Sequence, residues 1–167
     1  LEKDVIDEII FRTRNPRNRL MLELMARSCM RVGEVLKLTS QDVEDRKVII
    51  RNPKSGKEAE AAFPPQKLAD RLKKYISDNG IEPSDRIFPI TYAAARIVVK
   101  KAGDLVGIHL KPHDLRRHAA TYASRSGTPI EIVSKILLRH SSLAITQIYL
   151  GRISDAEAIR WIDKLHG

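Results

Sequence analysis

The sequence of 167 residues contains a single cysteine, Cys29. One thiol cannot close an intramolecular disulfide, and no Cys/His cluster has the spacing of a zinc site. Cys29 reads as a small buried apolar residue rather than as a nucleophile. Aromatic residues make up only 5% of the chain, which argues against a single-strand binder built from stacking platforms. No apolar run approaches the ~20 residues that span a bilayer, and no signal peptide is visible. These absences predict a protein of a reducing, aqueous compartment with no membrane partner. There is no Walker-A loop and no carboxylate cluster suited to two magnesium ions, so the sequence implies neither ATP nor a metal cofactor. Internal repeats, low-complexity tracts and linkers are also missing, and residues 1–167 are expected to form one domain.

What the chain does have is positive charge. Thirty lysines and arginines face 21 acidic residues, a formal net charge of +9. That excess suits a polyanionic partner, with nucleic acid the first candidate. Apolar residues at 43% and charged residues at 31% are ordinary for a globular domain, and the length allows a real core.

The periodicity is mostly helical. Val5, Ile6, Ile9 and Ile10 share one face of a first helix from Leu1 to Arg12. After Asn15-Pro16 a second helix carries Leu20, Met21, Leu24, Met25 and Cys29 as its apolar stripe. From Arg46 the period changes. Lys47 to Arg51 reads as a strand, Asn52 to Gly56 as a turn, and Glu58 to Phe63 as the returning strand, which puts Lys54 near a hairpin tip. Helices follow at Gln66 to Asp78, at roughly Tyr92 to Lys101 with Gly103 beyond it, and at about His113 to Ser126. Thr128-Pro129-Ile130-Glu131 combines a capping box with proline at the first helical position, so another helix starts there. Ser141 or Ser142 can cap a short helix reaching Tyr149. Ser154 opens a last helix that ends near Leu165.

The residues able to carry chemistry stand out against these helices. His113 and Arg116 are three apart, so they share a helical face. Arg31 lies three residues before Glu34, an ordinary spacing for an exposed ion pair. Taken singly, each has a structural reading: His113 as a first-turn residue, Lys54 as a solvated tip, Tyr149 as a half-buried anchor. Their order along the chain is more telling.

Arg31-Val32-Gly33-Glu34-Val35-Leu36-Lys37-Leu38 resembles the first arginine box of the tyrosine recombinases, the phage integrase family. Lys54-Ser55-Gly56 sits where that family has a hairpin lysine, with Lys57 as a fallback. His113-Asp114-Leu115-Arg116-Arg117-His118 resembles its His-x-x-Arg box. His140 and Tyr149, nine residues apart, are similar to its last histidine and its nucleophile. The similarity runs from about Leu20 to Tyr149. Three departures accompany it. Cys29-Met30 stand where the family often has a Thr-Gly-like pair, Arg139 replaces the usual glycine before the last histidine, and Glu58 and Glu60 make the hairpin less basic.

The resemblance implies a mostly α domain with a small antiparallel β-hairpin, an α+β fold that breaks and rejoins DNA. It implies that Tyr149 attacks a phosphodiester and forms a 3′-phosphotyrosine with a free 5′ hydroxyl. Arg31 and Arg116 would clamp the non-bridging oxygens, because a planar guanidinium holds two oxygens and keeps its proton. His113 would act as base, Lys54 as general acid, and His140 as a hydrogen-bond donor to a non-bridging oxygen. Glu34 would orient Arg31. Arg31, Lys54, Arg116 and Arg117 would contact double-stranded DNA. The family also implies a homo-oligomer, a tetramer on DNA, with the last helix on a neighbouring protomer; docking of that helix on its own domain stays open. A cytoplasmic, nucleoid-associated protein of prokaryotic, phage or mobile-element origin is expected. The family's separate N-terminal DNA-binding domain has no counterpart in this sequence. The alternative is a catalytically silent DNA-binding accessory protein of the same fold.

Overall fold

Asn15-Pro16 starts the helix around which the molecule is built. The Asn15 side chain accepts a hydrogen bond from the Asn18 amide at 3.1 Å, and Pro16 occupies the first helical position. The computed structural model describes residues 1–51, 59–139 and 155–166. Lys54, Lys57, His140, Tyr149 and the short helix expected before Tyr149 lie outside the described residues. Within them the elements are α1 (Lys3–Arg12), α2 (Pro16–Ser28), α3 (Val32–Lys37), β1 (Val48–Arg51), β2 (Ala59–Ala62), α4 (Gln66–Asp78), α5 (Tyr92–Asp104), α6 (Pro112–Arg125), a π-helical segment Ile132–Leu137, and α7 (Asp155–His166). The fold is mostly helical with a small antiparallel sheet. β1 and β2 pair with Val48 opposite Ala62 and Arg51 opposite Ala59.

α2 is the central helix. The sequence stripe anticipated Leu20, Met21, Leu24 and Met25 as its buried face, but Leu22 and Glu23 are buried as well. α1, α3, α4 and α6 all pack against it, so it is covered on nearly every side. The buried Glu23 carboxylate is answered by Arg71 of α4, with both oxygens accepting, and by Arg19 and Arg27. A carboxylate so far from water stays only when paired this way.

Three differences from the sequence reading bear on the site. First, α3 was not foreseen as a helix; it is six residues long, too short for a periodic pattern to mark. Second, α5 does not stop before Gly103 but runs to Asp104. A Cβ at Gly103 would lie 2.6 Å from the Leu110 Cβ and 2.7 Å from the Ile108 carbonyl oxygen. The glycine therefore permits a close approach rather than ending the helix. Third, the helix expected after Pro129 begins there but widens into a π-helix, with the Leu138 amide donating to the Val133 carbonyl five residues back.

α7 rests on its own domain through Trp161. Gly127 has φ +100°, and the Trp161 ring comes within 3.1 Å of where a Cβ at that glycine would be. Ile159, Ile162 and Leu165 of α7 stay exposed. No helix among the described residues is long and apolar enough to cross a membrane.

Candidate active site

The site is built where α2 ends. Cys29 closes that helix in the left-handed conformation, φ 59°. The turn redirects the chain so that Arg31 stands at the N-terminus of α3. Cys29 is 1% exposed, as expected of a small core residue, and burial pushes its thiol pKa up, away from nucleophilic use.

α6 packs along α2 and brings Arg116 to this turn. Arg116 is 3% exposed. Its Nε donates to the Cys29 carbonyl at 3.0 Å, and its Nη2 donates to the Leu138 carbonyl at 2.6 Å. Leu138 precedes Arg139, which has φ 60°. Cys29 and Arg139 are the non-glycine residues with positive φ among the described residues, and the backbone around each supplies a carbonyl to Arg116. The departure from glycine at Arg139 thus falls on a backbone conformation that glycine adopts most readily.

Arg31 is held from the other side. Glu34 Oε1 accepts from the Arg31 amide at 2.8 Å, and Glu34 Oε2 accepts from Arg31 Nη1 at 3.0 Å. The sequence read this spacing as an exposed pair, but the Glu34 side chain is only 10% exposed. Burial alone would raise the Glu34 pKa. The charge of Arg139, the Arg31 amide and the Arg31 charge outweigh it and hold the carboxylate below its ordinary range.

Arg31, Glu34, His113 and Arg116 line one cleft of about 1020 Å³. His113 is exposed at its rim. Desolvation comes first in lowering the His113 pKa, followed by the positive charges of Arg117, Arg116 and Arg31, against an opposing pull from Asp114. The lowered pKa favours the neutral imidazole at pH 7, the form able to accept a proton. Of the expected residues the structure brings Arg31, His113 and Arg116 together. Arg117 is exposed and does not line the cleft.

The sequence reading missed four further cations on the cleft wall: Lys37, Arg51, Arg96 and Lys111. Lys37 was within reach, since it lies in the quoted arginine box. Arg51 is tied to Asp42 at 2.5 Å, and Arg96 and Lys111 carried no local signal. The reading also missed what Arg139 does. Its side chain is 4% exposed; Nη2 donates to Glu34 at 2.6 Å, Nη1 donates to the Leu137 carbonyl at 3.0 Å, and Nε lies 3.4 Å from Glu60 of β2.

A cleft walled by fixed guanidinium groups, with a neutral imidazole at its edge, can bind a phosphodiester and stabilise added negative charge on it. Comparison with known proteins gives this chemistry a family. The family described as the phage integrase family matches residues 1–155. The chain is 30% identical over 158 residues to the tyrosine recombinase XerA of Saccharolobus solfataricus, covering 93% of this chain and 53% of that protein. In structure it is similar to a crystal structure of XerA recombinase, with TM-score 0.82 and 21% identity over 100% of this chain and 65% of that one. It is also similar to the XerH site-specific recombinase bound to its palindromic difH substrate, with TM-score 0.73 and 22% identity over 89% and 48%. The chain belongs to the phage integrase family of tyrosine recombinases, and its fold is that of their catalytic domain. It spans about half the length of the curated relatives it matches.

Proposed function

We propose that this chain is the catalytic unit of a site-specific DNA recombinase that cleaves and rejoins strands through a transient 3′-phosphotyrosine at Tyr149. The observation that carries this reading is the convergence of Arg31 and Arg116, 85 residues apart in sequence (116 − 31), on one cleft with His113. Membership of the family and the DNA held by the related XerH structure support it.

In the proposed reaction the Tyr149 phenol oxygen attacks phosphorus, and its proton passes to His113. The bond from phosphorus to the 5′ oxygen breaks, and Lys54 gives that oxygen a proton. His140 donates a hydrogen bond to a non-bridging oxygen, and Arg31 and Arg116 bind the charge that builds on both. The phosphodiester energy is kept in the phosphotyrosine, so rejoining is the same step in reverse by a 5′ hydroxyl. Lys37, Arg96 and Lys111, together with Arg117, extend the cationic surface for duplex DNA. We assign the oligomeric contact to the exposed Ile159, Ile162 and Leu165 of α7. On this reading the protein acts in the cytoplasm, with the nucleoid.

The test is covalent capture. The protein is mixed with nicked duplexes of randomised sequence in EDTA, and the products are run on a denaturing gel. A short strand diffuses away after attack at a nick, so the adduct accumulates. An adduct that disappears with Tyr149→Phe is the expected result. DNA binding with no adduct, in this chain and in a longer one carrying an added N-terminal DNA-binding domain, would overturn the reading.

A further inference from the structure

Arg139 occupies an unusual place. Its backbone is left-handed, a conformation that disfavours any side chain, yet a long cation is kept there. That cation is almost wholly buried and touches three elements at once. It donates to Glu34 of α3, lies beside Glu60 of β2, and donates to the carbonyl of Leu137 at the end of the π-helix. Each of these elements leads to a residue of the proposed chemistry. α3 begins at Arg31. β1 and β2 flank residues 52–58, which include Lys54. Arg139 itself directly precedes His140.

We propose that Arg139 is a positioning residue that locks α3, strand β2 and the end of the π-helix into one junction and, through Glu34, fixes the aim of Arg31. The inference rests on the recombinase reading of the site. The geometry divides the Glu34 carboxylate into two tasks. Oε2 holds the Arg31 guanidinium, while Oε1 is shared by the Arg31 amide and Arg139 Nη2. Without Arg139 the carboxylate loses the partner that opposes its swinging, and Arg31 loses a fixed hinge. The Glu34 carboxylate is faced by Arg31, Arg139 and Arg116 and by the Cys29 thiol. Arg139 is the strongest of those influences keeping it ionised.

Removal of Arg139 alone leaves Glu60 buried beside a lost cation, which could unfold the chain. The test therefore uses Arg139→Gly combined with Glu60→Gln. This pair deletes the guanidinium, relieves the left-handed backbone and removes the Glu60 carboxylate, while Glu34 keeps Arg31 as its partner. Arg139→Lys is made beside it, because lysine keeps the charge and cannot fork between partners. Two readouts are taken on proteins with matched thermal midpoints. One is single-turnover adduct formation at saturating nicked duplex, with DNA affinity measured separately. The other is the NMR titration of the Glu34 carboxylate and the Arg31 Nε–H resonance without DNA.

The expected result for Arg139→Gly/Glu60→Gln is a rate roughly 10- to 100-fold lower, the scale of an ångström's misplacement, with DNA affinity changed less than threefold. The Glu34 titration should move up, the Arg31 resonance should shift, and Arg139→Lys should fall between the double variant and the parent. A cleavage rate within twofold of the parent overturns the proposal. If the parent itself forms no adduct, the recombinase reading fails separately, and the junction is judged on the resonances alone. Unmoved Glu34 and Arg31 signals then overturn it, and shifted ones sustain it.

Discussion

The guanidinium of Arg116 is hung from the carbonyl oxygen of Cys29, a residue 87 positions away, by a 3.0 Å hydrogen bond from Nε. A second bond, to Leu138, fixes the plane of the fork. Arg116→Lys keeps the charge but cannot hold both carbonyls and a phosphate. Under the proposed chemistry the adduct rate should drop by ~10²–10³, the cost of losing one preorganised donor. Duplex affinity, dominated by many phosphate contacts, should change little. Single-turnover kinetics at saturating DNA separates the two.

Cys29 bears on stability through its backbone. Cys29→Gly relieves a left-handed conformation worth about 1–2 kcal/mol. It also loses a buried side chain and frees the unfolded chain, each worth roughly 1 kcal/mol. The net change should lie within about 1 kcal/mol of zero. Cys29→Val puts a β-branched residue at φ 59° and should destabilise by about 2 kcal/mol or more. Urea denaturation of the three proteins checks both values.

Gly103→Ala offers a sharper contrast. In an isolated helix the change stabilises by about 1 kcal/mol. Here the new methyl meets Leu110 and the Ile108 carbonyl at under 3 Å, and backbone must move. Overpacking of this kind costs about 1–3 kcal/mol, so the variant should unfold at lower urea than the parent.

His113 sets an expectation for pH. Desolvation and the nearby Arg117, Arg116 and Arg31 hold its folded pKa below the ordinary 6.5. Between the folded and unfolded values the unfolded chain binds more protons, so stability falls as pH drops below about 6.5. At subsaturating DNA, where the rate reports the free protein, the adduct rate should show an acid limb with an apparent pKa under 6.5, and His113→Gln should lower the plateau and abolish that limb. An acid limb unchanged in His113→Gln would remove His113 from the role of base.

The local parts of the architecture were legible in the sequence. α4 keeps the bounds Gln66–Asp78 that periodicity and Asn79-Gly80 mark, and β1 and β2 lie where the period changes. The same holds for the arginine box and the His-x-x-Arg box, whose members Arg31, His113 and Arg116 meet in one cleft. The remainder depends on contacts between distant residues. Glu34 and Arg139 are 105 positions apart, and nothing local to either announces their ion pair. The π-helix depends on register within Ile132–Leu137, and the burial of α2 on nearly every side depends on what packs around it. Local patterns describe one element at a time, whereas these features belong to several.

The dependence of Arg116 on Leu138 has a consequence for synthesis. A ribosome delivers this chain from its N-terminus, and domains fold as their segments emerge. Both arginines leave the ribosome before the Leu138 carbonyl that orients Arg116. The cation of Arg139, which ties Glu34 to the same turn, comes one residue later still. A nascent polypeptide therefore holds the basic groups without their final aim. Under the proposed chemistry, the capacity to nick DNA is withheld until translation has passed this point and delivered Tyr149.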